Sequence, residues 1–132
     1  MGYYTDYTLT ICGCRDNDKK YDLSLSTRES LEAEIKLMNV FETGYLDDTY
    51  FVRDTWQDHN VDMRVLSSRF PNVLFNLHGE GDSPGDMWEK WYFNGASQYC
   101  PATISYDDFN PVKLGNSLPE EYVSIHKYTY QY

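Results

Sequence analysis

The stretch Arg69–Gly95, RFPNVLFNLHGEGDSPGDMWEKWYFNG, decides the fold. Val73, Phe75 and Leu77 alternate with Leu74, Asn76 and His78, the period of two that a half-buried pleated strand requires. Pro71 stops a helix from running through and biases Phe70 toward extended geometry, so a new strand starts after it. From Gly79 to Asp86 three glycines, a proline and the carboxylates Glu80, Asp82 and Asp86 fall within eight residues, a composition that predicts a surface loop rather than a central strand. Met87–Phe93 resumes as a strand. Asn94-Gly95 then tolerates the positive φ of a type I′ turn, and the chain is expected to fold back through Ala96 to Ser105.

Toward the N-terminus, Tyr3, Thr5, Tyr7, Leu9 and Ile11 share one face of a predicted strand, with Tyr4, Asp6, Thr8 and Thr10 on the other. A polar turn at 15–20 leads to a short second strand expected at Tyr21–Leu25. Ser26-Thr27-Arg28-Glu29 has the form of a capping box and predicts a helix. Its apolar stripe is Leu31, Ile35, Met38 and Phe41 with Leu37 beside them, and Gly44 is expected to close it. A strand follows at Thr49–Trp56, then a second helix capped by Asn60 with Met63, Leu66 and Phe70 on one face. Beyond the hairpin, 107–121 reads as irregular connection, and 122–132 as an edge strand or terminal arm. These elements predict an α+β fold, with two helices packed on one face of a mainly antiparallel sheet. All 132 residues are expected in a single domain, with 106–132 as its irregular connection and C-terminal strand or arm.

The sequence from the first strand through Phe-Pro-x-Val-Leu-Phe, Gly-Glu-Gly, Gly85-Asp86-Met87-Trp88 and Tyr92-Phe93-x-Gly95 resembles small phage- and plasmid-encoded proteins with a YubB-type ferredoxin-like domain. The likeness spans about residues 1–105. It implies a ferredoxin-like sheet and a mobile-element origin, and it lends no catalytic residues. The single strand between the helices departs from the usual β-α-β-β-α-β order.

A formal net charge of −10 repels nucleic-acid phosphates and anionic membrane surfaces and favours a basic partner. No apolar run reaches about twenty residues, and no basic-then-apolar leader opens the chain. A cytoplasmic protein in the host cell is therefore expected, with no membrane partner. Cys12, Cys14 and Cys100 are odd in number and lack the second pair of a zinc ribbon, so reduced thiols without a metal or other cofactor are expected.

His59, His78 and His126 are scattered. The run His78-Gly79-Glu80-Gly81-Asp82 places an imidazole near two carboxylates and is the one candidate for acid–base work or cation binding. Trp88, Tyr92 and the N-terminal tyrosines would suit base stacking on a sheet, but the charge opposes it. Between Glu42 and Asp62 six carboxylates face one arginine, and between Glu80 and Glu89 there are four carboxylates and no arginine. Carboxylates interspersed with tyrosine and tryptophan suit a surface that docks on Lys and Arg of another protein. Glu80, Asp82, Asp86, Trp88, Asp47, Asp48, Tyr50, Asp54, Trp56 and Asp58 are the residues expected to make that contact, with Tyr45 and Tyr106 as further aromatics. The expected activity is non-enzymatic: a monomer or small homo-oligomer that blocks a basic host protein or ribonucleoprotein, as an anti-CRISPR-like inhibitor does.

Overall fold

The structure is a computed structural model and describes residues 3–14, 25–41 and 49–115. Five strands form one antiparallel sheet: β1 (Thr5–Cys14), β2 (Thr49–Asp54), β3 (Val73–Gly81), β4 (Met87–Phe93) and β5 (Ala96–Pro101), in the spatial order β2-β1-β3-β4-β5. Two helices, α1 (Leu25–Met38) and α2 (His59–Arg69), interrupt the first three strands. β2 and β3 both run against β1 and flank it, so β2-α2-β3 is a β-α-β unit split by the first strand. The whole is an α+β arrangement compatible with a ferredoxin-like fold.

Register assigns the faces. Tyr50, Leu9, Leu77, Lys90 and Tyr99 stand in one cross-strand row, with Val52, Tyr7, Gly79, Trp88 and Pro101 in the next row on the same face. Ile11, Phe75 and Tyr92 make a third row. The buried members of these rows join Leu31 and Ile35 of α1 and Met63 and Leu66 of α2 in one core, which places both helices over this face. The opposite face carries Arg53, Asp6, Glu80 and Met87, then Phe51, Thr8, His78, Glu89 and Cys100.

Several boundaries differ from expectation for local reasons. α1 begins at Leu25, so Ser26 lies inside its first turn, and no part of a second strand survives at that residue. Asn39, at φ 55°, ends the helix with its N–H bonded to the Lys36 carbonyl at 3.1 Å, five residues before Gly44. Asparagine is the usual non-glycine residue at this left-handed position. Leu37 falls off the buried stripe and is 76% exposed. α2 starts with Asp58 at its N-cap position, not Asn60, and Asp58 makes no side-chain capping bond.

The largest correction concerns Gly79-Glu80-Gly81, which continue β3 in the middle of the sheet instead of opening a loop. A Cβ on Gly79 would lie 2.2 Å from the Trp88 ring, so glycine is what lets the indole lie on the strand. The connection shrinks to residues 82–86, stitched by Gly81 N–H to Asp86 C=O at 2.8 Å and Asp86 N–H to Ser83 C=O at 3.1 Å. The turn of the second hairpin is as expected, with Asn94 and Gly95 at φ 47° and 81° and Phe93 paired with Ala96, but its return strand stops at Pro101, four residues short of the expected Ser105.

Contacts divide the chain after Ala102. From Thr103 to Gly115 the backbone is irregular except for a 3-10 turn at Pro111–Leu114, where the Asn110 side chain accepts the Val112 N–H at 3.1 Å. Gly44, the possible strand within 21–24 and the arm at 122–132 lie outside the described residues. No helix among the described residues is long and apolar enough to cross a membrane.

Candidate functional site

The start of β1, the end of β3 and the β3–β4 connection bring Asp6, Glu80, Asp82 and Asp86 to one end of the sheet. Arg53 of β2 stands across from Asp6 and bonds its Oδ2 at 3.2 Å and Asp82 Oδ1 at 2.6 Å, while its guanidinium lies over the Tyr4 ring at 5.6 Å. The bonds from Asp82 and Asp6 raise the pKa of Arg53 above its ordinary value. Asp82 Oδ2 also accepts the Tyr4 N–H at 3.3 Å. Tyr3 donates its O–H to Asp86 Oδ2 at 2.6 Å and accepts the Ser83 N–H at 2.7 Å. Asp6, Arg53, Glu80, Asp82 and Met87 line a shallow depression of about 340 Å³.

Asp82 and Asp86 are therefore engaged in ordering the turn, whereas the nearest charged partner of Glu80 among the described residues is His78, at 3.7 Å. His78 Nδ1 is 3.9 Å from Glu89 on the same face. Asp82 turns away toward Arg53, so the His78-Gly79-Glu80-Gly81-Asp82 run does not converge on one point. Among the described residues no group of three or more His, Cys, Asp or Glu side chains is placed to hold a metal.

Other expected contact residues lie elsewhere. Tyr50 and Trp56 are each 7% exposed and belong to the core, which corrects their assignment as partner anchors. Trp56 meets Tyr7 and Phe41 edge-on at 5.4 Å each and donates its indole N–H to Asp62 at 2.8 Å. Trp88 is not an open anchor either: it lies over Gly79 and stacks on His59 at 5.2 Å. Asp54 accepts the Thr55 N–H at 2.7 Å at the end of β2, and Asp58 is exposed at the start of α2. Tyr45, Asp47 and Asp48 lie outside the described residues. Tyr3 and Tyr4, 48% and 43% exposed, are the aromatics that accompany the acidic end.

On the helix-facing side, sequence reasoning missed a second constellation. His59, Asn60, Asp86, Trp88, Lys90, Ser97 and Tyr99 line a cleft of about 460 Å³. His59 Nδ1 is 3.0 Å from the Trp56 carbonyl, an acceptor, so this nitrogen carries the proton and Nε2 accepts from Lys90 Nζ at 2.8 Å. Burial pushes the His59 pKa below its ordinary value; the Trp56 carbonyl works against this, and Lys90 adds to it. Lys90 sits over the rings of Trp88 and Tyr99 at 5.0 and 5.5 Å, and burial lowers its pKa too. Asn60 Oδ1 accepts the Tyr92 O–H at 2.9 Å. The legible signal was parity: if Tyr92 faces the core, Lys90 must face the same way.

The free thiols of Cys12 and Cys100 are both half-buried, and burial raises the pKa of Cys12, which opposes thiolate formation. Comparison with known proteins adds nothing to this geometry: no family model matches the chain, and no curated protein or solved structure is significantly similar to it.

Proposed function

We propose that the protein is a non-enzymatic interaction protein whose acidic sheet end docks on a basic surface of another protein, one that ordinarily receives nucleic acid. In the mobile-element setting that the sequence resemblance implies, the partner is a host defence or nucleic-acid-processing complex, and the protein is an anti-CRISPR-like inhibitor. The observation that carries this reading is the gathering of Asp6, Glu80, Asp82 and Asp86 at one end of the sheet, with Arg53 bonded to Asp6 and Asp82, beside exposed Tyr3 and Tyr4.

The energetics suit docking. Arg53 and its two aspartates are about half exposed, and solvent-exposed pairs of this kind add little to stability, so exchanging them for a partner's cations costs little. The turn that presents the carboxylates is already ordered by Tyr3, which limits the entropy lost on binding. Four carboxylates at one end of a sheet fall far short of the charge density of duplex DNA, about one charge per 1.7 Å. Steric cover of a basic face fits better than full mimicry.

The test is capture of partners by the tagged protein from host lysate, treated with nuclease, at low and moderate salt. A stoichiometric basic partner released by salt is expected. Glu80→Lys should then weaken binding at least tenfold and flatten its salt dependence, and because Glu80 stands opposite Asp6 the new lysine has a local counter-charge and the fold should hold. Undiminished binding by this variant would reject the acidic end as the contact.

A further inference from the structure

The feature that the acidic-surface reading leaves unused is Lys90. Its inward position places an ammonium on the helix-facing side of the sheet, between Trp88 and Tyr92 in sequence and opposite Leu77 on β3. Inward lysines are rare because desolvating a charge is costly unless something compensates it. Here the compensation is partial. Two aromatic faces and the neutral Nε2 of His59 surround the ammonium, and no carboxylate among the described residues pairs with it. Asp86 lines the same cleft, but its Oδ2 is engaged by Tyr3.

Apart from the Asp86 carboxylate, the hydrogen-bonding groups that line the cleft are biased toward donors. Lys90 has three N–H groups and gives one to His59, leaving two. Asn60 has its oxygen committed to Tyr92, which fixes the amide and leaves its NH₂ group as the remaining function. Ser97 adds a hydroxyl. Tyr99, 60% exposed, forms an apolar wall beside them. The volume of about 460 Å³ falls in the range of small-ligand sites, roughly 300–1,000 Å³.

We propose that this cleft binds a small oxyanion, a carboxylate or phosphate monoester carried on a compact flat body, with Lys90 and Asn60 donating to the anion and Tyr99 flanking the body. The cleft shares Asp86 with the acidic end, but its donors, Lys90 and Asn60, take no part in the acidic docking surface. Its ammonium gains the counter-charge the fold leaves out, and charge-assisted bonds of this kind are about twice as strong as neutral ones. The overall negative charge acts against any anion, but at 0.15 M salt it is screened beyond about 8 Å while Lys90 acts at contact.

The experiment is an NMR titration of the full ¹⁵N-labelled chain at 0.15 M salt with phenyl phosphate, inorganic phosphate and neutral phenol. Saturable shifts at the Trp88 indole N–H, the His59 ring and the Asn60 amide are expected with phenyl phosphate and absent with phenol. Lys90→Gln should weaken binding at least tenfold. Asn60→Asp keeps an acceptor for Tyr92 while adding a negative charge, and should weaken it by a similar factor; it carries the test if the amide spectrum of Lys90→Gln shows a disturbed fold. Inorganic phosphate saturating the same signals also supports an oxyanion site. Three results would each overturn the proposal: no saturable shift with either phosphate, equal binding of phenol, or affinity unchanged in the variants.

Discussion

Two parts of the helix-facing side of the sheet share one alternation and differ in what fills them. Over β1 and β3, Leu9, Phe75 and Leu77 are fully buried and the helices contribute Leu31, Ile35 and Met63, so the space is closed by hydrocarbon. Over β4 and β5 the same face presents Trp88, Lys90, Ser97 and Tyr99, and α2 answers with His59 and Asn60, leaving a polar cleft. A sheet face therefore need not be uniform: the closed half supplies stability, and the open half holds groups that hydrocarbon packing would exclude. The sharpest test is truncation. Phe75→Ala should cost about 3–5 kcal/mol in urea unfolding, the range for a large side chain removed from a closed core. Ser97→Ala in the open half should cost less than about 0.5 kcal/mol, as an exposed substitution does. Equal losses would abolish the distinction.

The boundary between the halves runs through Gly79, and a methyl group there probes both. Gly79→Ala sets a Cβ 2.2 Å from the Trp88 ring, against the body of an indole already stacked on His59. Overpacking of this kind costs about 1–3 kcal/mol. The displaced indole should also change its fluorescence and loosen the contact between His59 and Lys90. Stability and fluorescence both unchanged would mean that Trp88 has room to move, and that the cleft is not held from below.

How much of this the sequence revealed depended on whether the signal was local. The Asn94-Gly95 turn was readable because two adjacent residues meet its backbone requirement by themselves. The parity of β1 and the stripe of Met63 and Leu66 were readable because period carries burial. Gly79 and Gly81 misled because glycine in a strand and glycine in a loop look alike until the opposing side chain is known, and Trp88 comes from the neighbouring strand. The same limit explains Tyr50 and Trp56. Acidic neighbours in sequence suggested an exposed surface, but β2 turns Tyr50 inward beside Leu9, and Trp56 packs against Tyr7 and Phe41 from other elements. The acidic end was half legible: Glu80, Asp82 and Asp86 were visible as a cluster, while Arg53 and Tyr3 reach them only in three dimensions.

A smaller effect tests the join between α2 and the sheet. Tyr92 is fully buried in the core with its hydroxyl on Asn60, and burial pushes the pKa of that hydroxyl upward, so it remains a donor at any ordinary pH. Tyr92→Phe keeps the packing and deletes one bond. A loss of about 1 kcal/mol is expected. A neutral result would indicate that water replaces the hydroxyl at Asn60 and that this edge of the closed half is already wet.

The smallest expected effect is electrostatic and belongs to the open half alone. Burial holds His59 neutral, with a folded-state pKa below the unfolded value of about 6.5. Between the two values the unfolded chain binds a proton that the folded chain refuses, so stability falls as pH drops through that window and is flat above it. His59→Gln should remove this part of the slope between pH 7.5 and 5. Lys90→Met should shift the His59 titration upward, because the ammonium adds to the depression, but leave it short of the ordinary value, since burial is the larger cause. Full restoration would mean that the lysine charge dominates and that the histidine is better solvated than its stacking on Trp88 implies. An unmoved titration would place the ammonium away from Nε2, and with it would go the fixed donor geometry that distinguishes the cleft from the closed core beside it.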